Sequence, residues 1–228
     1  MLTVHHLETS RSQRVLWLLE ELGTPYELKV YKRTAQRLAP PELRKVHPLG
    51  KSPVITDDGK VIAESAVIIE YIAETYGSFA GGELAGLVPE RGSAEDWQCR
   101  YWMHYAEGSL MNWLVMKLVF GSLPKQPMPF FARPIARAIC NKVQGQLIDP
   151  NLATAASYVD GHLGRNRWFA GPLLTVADFQ MSFAVEALLS RASYAARLPH
   201  LVEYRSRINA RPAYQRALQK GGPVIMAS

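Results

Sequence analysis

The sequence has few of the features that define secreted, membrane-spanning or metal-dependent proteins. Cysteine occurs twice in 228 residues, at Cys99 and Cys140, and these positions are too far apart to form a CxxC motif. This usage is typical of a reducing compartment and excludes a disulfide framework. The first residues, MLTVHHLE, have neither the basic head nor the apolar stretch of a signal peptide. We therefore expect a cytoplasmic protein.

Long apolar runs are missing as well. The stretch LMNWLVMKLVF is interrupted by Asn112 and Lys117 and is too short to span a bilayer. We therefore expect no membrane partner.

Several motifs that define large enzyme classes are also missing. The sequence has no Walker loop and no GxGxxG, GxSxG or HExxH motif, which excludes the usual nucleotide-binding and hydrolase classes. His5 and His6 are adjacent in a predicted strand, so their side chains point to opposite faces and cannot share a metal ion. We expect no metal site.

The chain is basic, with a net charge of +6 and a pI near 9.4. Its Lys and Arg residues are scattered, without a basic block, zinc-finger spacing or RNP-like segment. Solvated helix faces explain this pattern, and a small anionic ligand would also suit it. We expect no nucleic-acid partner.

Two kinds of hydrophobic pattern divide the chain. Residues 1–78 alternate between strand-like and helix-like segments in the order βαβ-α-ββα, which predicts a small α/β domain. Residues 79–89 are rich in glycine and are interpreted as a linker. Residues 90–228 have helical spacing throughout, so the predicted fold is α/β plus all-α, with a helical bundle as the second domain.

Two short motifs have both a structural and a ligand-binding interpretation. In HPLGKSPV (47–54), Pro53 is expected at a strand start or sheet edge because it cannot donate a ladder hydrogen bond. A cis Ser52–Pro53 bond would turn the Ser52 backbone towards a ligand, but few X–Pro bonds are cis. In AES (63–65), Ser65 is interpreted as a helix N-cap, although a helix N-terminus also binds anions and Glu64 could accept a hydrogen bond from an ammonium group.

The segment LTVADF (174–179) is interpreted as purely structural. Thr175 and Asp178 have the spacing of a capping box, and Leu174 and Phe179 have that of a hydrophobic staple. This segment is expected to begin a core helix.

These motifs occur in an order that resembles the soluble glutathione transferase family. The segments SRSQRVLWLLEEL, HPLGKSPV and AESAVIIEYI resemble its thioredoxin-like N-terminal domain, and WFAGPLLTVADFQMS resembles the signature of its helical C-terminal domain. The segment YKR followed by APPELRKVHPLG is most similar to a fungal and bacterial branch, and the first motif to the serine-dependent theta-like classes.

The resemblance implies a role for each motif. Ser10 would be aimed at the thiol of glutathione, with Thr9 and Ser12 as alternatives because the start of the helix is uncertain from sequence. The resemblance implies that Ser52–Pro53 is cis and that the Ser52 backbone pairs with the cysteinyl unit. Further glutathione contacts are implied at the γ-glutamyl and glycyl ends, namely Glu64 and Ser65 at the first and Lys51 or His47 at the second.

Two departures from the family pattern narrow the range of reactions that we expect. No cysteine lies within residues 9–12, where thiol-transferring relatives need one, and no tyrosine lies near the end of the first strand. We therefore expect conjugation of glutathione to a hydrophobic electrophile, or hydroperoxide reduction, rather than disulfide exchange. Candidate pocket walls are Tyr105, Met111 and Trp113, each of which fits a bundle core equally well.

The resemblance also implies a homodimer. The main alternative to an enzyme is a non-catalytic glutathione-binding or regulatory module on the same scaffold, because a fold does not establish an activity.

Overall fold

The computed structural model describes residues 1–77, 81–190 and 197–225. In the first 77 residues the strands are β1 (Thr3–Leu7), β2 (Glu27–Tyr31), β3 (Val54–Asp57) and β4 (Lys60–Ala63), and the helices are α1 (Gln13–Leu22), α2 (Leu43–Val46) and α3 (Ser65–Tyr76). The predicted βαβ-α-ββα order is confirmed. Helix α1 ends at Leu22, and its C-cap is Gly23, whose φ of 64° is one that glycine adopts readily.

The four strands form one mixed sheet in the order β2-β1-β3-β4. Strand β1 runs parallel to β2 and antiparallel to β3, and β3 pairs antiparallel with β4. His5 lies opposite Val54, and Val54 lies opposite Ala63. The ends of β1 and β4 and the start of β3 therefore meet at one edge of the sheet.

The rest of the described chain is helical. Helices α4 (Ala94–Tyr105) and α5 (Met111–Ser122) are joined by a π-helical segment, Ala106–Leu110, and α6 (Ala132–Val143) and α7 (Asp149–Leu163) by another, Gln144–Ile148. Helices α8 (Val176–Leu189), α9 (Pro199–Asn209) and α10 (Pro212–Gly221) complete the bundle, and 3₁₀ turns cover Gly82–Leu84 and Leu123–Lys125. Part of the predicted linker, residues 79 and 80, lies outside the described residues, as does the predicted boundary at 78.

One hydrophobic core joins the sheet domain to the bundle. Helix α1 supplies Trp17, which is fully buried and packs against Phe179 of α8, with 4.3 Å between the ring centroids and 41° between the ring planes. At the outer end of α1, the Glu20 carboxylate accepts hydrogen bonds from Arg216 and Lys220 of α10. Helix α1 is thus packed between the bundle core and α10, which fixes the start of α1 at the sheet edge described above.

The capping box predicted at Thr175 and Asp178 is present. The Asp178 carboxylate accepts hydrogen bonds from the backbone N–H groups of Phe169 and Thr175 and from the hydroxyls of Thr175 and Tyr204. Burial raises its pKa to about 6, although the hydrogen bonds oppose this shift. The motif therefore begins the buried helix α8, as predicted.

Candidate active site

The sequence-predicted motifs converge on the sheet edge where β1 and β4 end and β3 begins. The Leu7 N–H donates to Ser52 Oγ at 3.2 Å, and that hydroxyl donates to the His5 carbonyl at 3.0 Å. Residues 8–12 continue from Leu7, and Glu64 and Ser65 continue from the end of β4, next to Pro53. The fold therefore brings three separate motifs to one place.

The three hydroxyls of residues 9–12 have different surroundings. The Thr9 hydroxyl accepts a hydrogen bond from Arg33 Nε at 3.3 Å, and Thr9 has a φ of 47°, in the left-handed region. Ser12 is fully buried at the N-cap position of α1, but its side chain makes no capping hydrogen bond. Ser10 lies between them and is 7% exposed. Ser12 therefore occupies the N-cap position without capping the helix through its hydroxyl, which bonds to His6 instead.

Ser10 and Ser12 belong to a hydrogen-bonded series that runs into the protein. Their Oγ atoms are 2.8 Å apart, and Ser12 Oγ is 2.8 Å from His6 Nδ1. His6 Nε2 is 2.8 Å from the carbonyl oxygen of Gly221, at the end of α10. The Ser12 N–H also donates to Ser10 Oγ at 3.2 Å. The hydroxyl and the N–H of Ser12 therefore both hold the Ser10 hydroxyl in place from its interior side.

The 47–54 motif has the backbone that the family resemblance implied, since the Ser52–Pro53 bond is cis. Lys51 is exposed, and no ion pair to the described part of the chain holds it. His47 is partly buried, and its Nδ1 is shielded from solvent without a hydrogen-bond partner among the described residues. The Lys51 ammonium is thus open to a ligand at this edge, whereas His47 Nδ1 is buried.

The start of α3 differs from the sequence interpretation. Ser65 is the first residue of the helix rather than its cap; Glu64 occupies the N-cap position, with φ 73° and no side-chain capping hydrogen bond. Positive φ is strained for glutamate and is characteristic of functional sites. The first backbone N–H groups of α3 have no partner within the helix, so this end is suited to an anion.

Two arginines and one carboxylate lie beside Ser10, at the junction of the two domains. Arg11 Nε donates to both oxygens of Glu107, at 3.0 Å each, and Arg14 Nη1 donates to Glu107 Oε1 at 2.9 Å and to Gln180 Oε1 at 2.7 Å. Burial lowers the pKa of Arg14 to about 10, and Glu107 opposes that shift. The guanidinium groups of both arginines also lie over the Phe183 ring, 5.6 and 5.5 Å from its centroid. Sequence reasoning missed this network, because Glu107 is 93 positions away from Arg14.

An aromatic cleft lies on helix α4 and the π-helical segment. Its volume is about 610 Å³, and its lining residues are Trp97, Arg100, Tyr101, His104, Tyr105, Gly108 and Ser109. Of the three predicted pocket walls, Tyr105 lines this cleft and Met111 is buried in the core. Trp113 is partly buried and packs against the core.

Neither cysteine belongs to the motifs at this sheet edge, because Cys99 lies in α4 and Cys140 in α6. Cys99 and Cys140 are both buried free thiols, and burial raises the pKa of Cys99 to about 11. Within the described ranges there is no group of three His, Cys, Asp or Glu residues placed to hold a metal ion, and no helix long and apolar enough to cross a membrane. A thiolate acting at this site must therefore come from a bound molecule.

The fold and the site define a thioredoxin-like domain followed by a helical bundle, and comparison with known proteins identifies its class. Residues 10–75 match the family model for the glutathione S-transferase N-terminal domain, and residues 136–221 match that for the C-terminal domain. Glutathione S-transferase 3 of Schizosaccharomyces pombe is 37% identical over 96% of this chain and 88% of its own. Glutathione S-transferase 1 of Saccharomyces cerevisiae is 30% identical over 96% of this chain and 95% of its own.

Solved structures agree with the sequence comparison. A glutathione S-transferase from Actinobacillus pleuropneumoniae superposes with a TM-score of 0.78 at 31% identity, covering 97% of this chain and 93% of the other. The chain belongs to the glutathione S-transferase family. It is a glutathione transferase with glutathione as its co-substrate, as the sequence resemblance implied.

Proposed function

We propose that Ser10 stabilises the thiolate of bound glutathione, which then attacks a hydrophobic electrophile. The observation that supports this role is the difference among the three hydroxyls. Ser12 is fully buried and bonded to His6, and Thr9 is held by Arg33, whereas Ser10 is at the outer end of its hydrogen-bonded series. This arrangement favours Ser10 over both alternatives.

The free energy required of Ser10 is modest. Lowering a thiol pKa from ~8.5 by about two units requires roughly 2.7 kcal/mol. One hydrogen bond to a charged group contributes about 1.5–3 kcal/mol, and a nearby helix N-terminus adds ~0.3–1 kcal/mol. A hydroxyl beside the start of α1 is therefore sufficient, and no protein nucleophile is needed.

The remaining glutathione contacts are proposed along the same sheet edge. Glu64 and Ser65, at the N-terminal end of α3, bind the ammonium and carboxylate of the γ-glutamyl unit. The backbone of Ser52, before Pro53, pairs with the cysteinyl unit. For the glycyl carboxylate, the exposed ammonium of Lys51 and the unpartnered Nδ1 of His47 are both suited by chemistry.

In this proposal the two domains have different roles. Residues 1–78 bind glutathione, residues 79–89 form the linker, and residues 90–228 supply the electrophile pocket, with Tyr105, Met111 and Trp113 as wall residues. The described cleft beside Tyr105 is lined largely by aromatic side chains, which suits an apolar electrophile. The reaction is conjugation, and hydroperoxide reduction is a further activity of the same thiolate.

We propose a homodimer in the cytoplasm. Large apolar side chains are exposed along α5, along α6 and at the residue just before α6, which is the kind of surface that a second subunit covers. They are Val115, Leu118, Val119, Phe131, Ile135 and Ile139. Light scattering coupled to size-exclusion chromatography tests the dimer, and a monomer at all concentrations contradicts it.

Capture on immobilised glutathione, followed by assays with electrophiles and organic hydroperoxides, tests the function. Turnover with an electrophile that Ser10→Ala reduces supports the proposal. Capture without any turnover would favour a non-catalytic binding module instead. Failure of both capture and turnover would reject the glutathione contacts assigned above.

A further inference from the structure

The series Ser10–Ser12–His6–Gly221 extends from the proposed thiol position to a buried imidazole. Its three links, from Oγ to Oγ, from Oγ to Nδ1 and from Nε2 to the carbonyl oxygen, each measure 2.8 Å. His6 and Ser12 have no exposed surface, and Ser10 is 7% exposed. These groups therefore exchange protons with one another more readily than with bulk water.

The chemistry of the last partner sets the direction of the three 2.8 Å hydrogen bonds; the Ser12 hydroxyl also has the Leu7 carbonyl oxygen as a longer second acceptor, at 3.4 Å. A carbonyl oxygen only accepts, so the Gly221 carbonyl requires a proton on His6 Nε2. A neutral His6 then has an unprotonated Nδ1, which accepts from the Ser12 hydroxyl. The Ser12 oxygen in turn accepts from Ser10, and Ser10 presents a lone pair outward, where a thiol S–H can donate.

We propose that the thiol proton of bound glutathione passes along this series to His6, which retains it while the thiolate is present. The S–H bond breaks as a proton joins Ser10 Oγ, the Ser10 proton moves to Ser12 Oγ, and the Ser12 proton moves to His6 Nδ1. The products are a thiolate and an imidazolium, and no other reactant is consumed. The proposal rests on the placement of the thiol at Ser10.

This transfer leaves the hydrogen bonds in the orientation that a thiolate needs. After it, His6 Nδ1 donates to Ser12, Ser12 donates to Ser10, and Ser10 donates to the sulfur. Hydrogen bonds arranged head to tail in a buried site strengthen one another. His6 and Ser12 act through Ser10 and are positioning residues.

The surroundings of His6 suit a group that is unprotonated before glutathione binds and that can then accept a proton. Burial lowers the pKa of His6, so its imidazole is neutral at pH 7 before glutathione binds, and its protonated form requires the charge of the nearby thiolate as compensation. The Gly221 carbonyl and the negative charge of Glu8 both favour the protonated ring. The hydrogen-bond partners of the imidazole are the Ser12 hydroxyl, just before α1, and the Gly221 carbonyl of α10, and neither carries a charge.

The number of protons released to the buffer when glutathione binds tests the proposal in the intact protein. Glutathione binding is measured at pH 7 by calorimetry in buffers of different ionisation enthalpy, and thiolate formation by ultraviolet absorbance. S-methylglutathione, which has no thiol proton, corrects for protons exchanged by the other groups. We expect far fewer protons in the buffer than thiolates formed. One proton released per thiolate overturns the proposal.

His6→Asn is the matched variant, because an amide oxygen near the Nδ1 position accepts from Ser12 but takes up no proton. We expect this variant to release about one proton for each thiolate that it forms. Proton retention that persists in His6→Asn places the proton elsewhere and overturns the proposal. If the variant does not fold, the count on the unaltered protein decides alone.

We call the proton transfer from the thiol to His6 the relay. Failure of the relay and failure of the Ser10 assignment give different results. If Ser10→Ala leaves the ultraviolet thiolate titration unchanged, the Ser10 assignment fails and the relay fails with it. If Ser10→Ala raises the thiol pKa but the unaltered protein releases one proton per thiolate, only the relay fails.

Discussion

The guanidinium of Arg14 is completely buried, and it donates to a Glu107 carboxylate whose side chain is 35% exposed, at 2.9 Å. This pair joins α1 of the sheet domain to the π-helical segment of the bundle. Arg14 Nε and Nη2 have no hydrogen-bond partner among the described residues. The buried charge therefore depends on Glu107 for its compensation.

Replacing Glu107 with Gln should destabilise the protein. The change leaves the Arg14 charge buried without a counter-ion, and breaking such a pair costs about 3–5 kcal/mol when both partners are buried. Because Glu107 is partly exposed, we expect about 3 kcal/mol, measured as the free energy of unfolding in urea. Glu203→Gln, which removes an exposed pair with Arg207, should cost less than about 1 kcal/mol. Equal effects of the two changes would contradict this account.

Ser10→Ala should raise the pKa of the bound glutathione thiol by about 1–2 units, because it removes a hydrogen bond worth about 1.5–3 kcal/mol to a charged group. Turnover at neutral pH should fall, while glutathione affinity changes little. Ultraviolet thiolate titration measures the pKa. Ser206→Ala is the control, since that hydroxyl bonds only within α9, to the Val202 carbonyl. A shift as large in the control would argue against Ser10.

Ser65→Ala should act on binding rather than on ionisation. The residue lies at the start of α3, where we place the γ-glutamyl carboxylate, so its loss should weaken glutathione binding by about 1 kcal/mol, or roughly fivefold. The thiol pKa should stay close to that of the unaltered protein. Calorimetry measures the affinity, and an unchanged dissociation constant would reject this contact.

Asp178 should make the stability of the fold dependent on pH. Its folded pKa of about 6 is above the ordinary value of 3.8, so the folded state binds the proton more tightly than the unfolded state does. Its contribution is therefore most favourable below about pH 4 and falls as pH rises to about 6, by about 3 kcal/mol. Unfolding of the unaltered protein and of Asp178→Asn should differ in pH dependence across this window. Parallel stability curves would show that Asp178 is not the group responsible.

The fold could be predicted where its signals are local. The capping box at Thr175 and Asp178 is recognised from a spacing of three residues, and it is confirmed. The alternation of strand and helix in the first domain is likewise visible in the order of apolar residues.

The site could be predicted only in part, because its geometry depends on distant segments. The residues alone favoured a trans Ser52–Pro53 bond, and the family resemblance was needed to expect the cis form. The contact of His6 with Gly221 spans 215 positions, and no periodic pattern in either segment indicates it. The direction in which the Glu107 side chain points is set by a π-helical segment, and a sequence pattern with α-helical spacing does not predict such a segment.

The hydrogen bond between His6 and Gly221 affects when the site is completed during translation of the chain. His6 is translated before its carbonyl partner, which follows 215 residues later. A nascent chain can form the whole β-sheet and the start of α1 and still lack the contact that fixes the tautomer of His6. If the proton transfer to His6 works as proposed, it begins only after α10 has docked, so that a partly synthesised chain cannot store the glutathione thiol proton on His6.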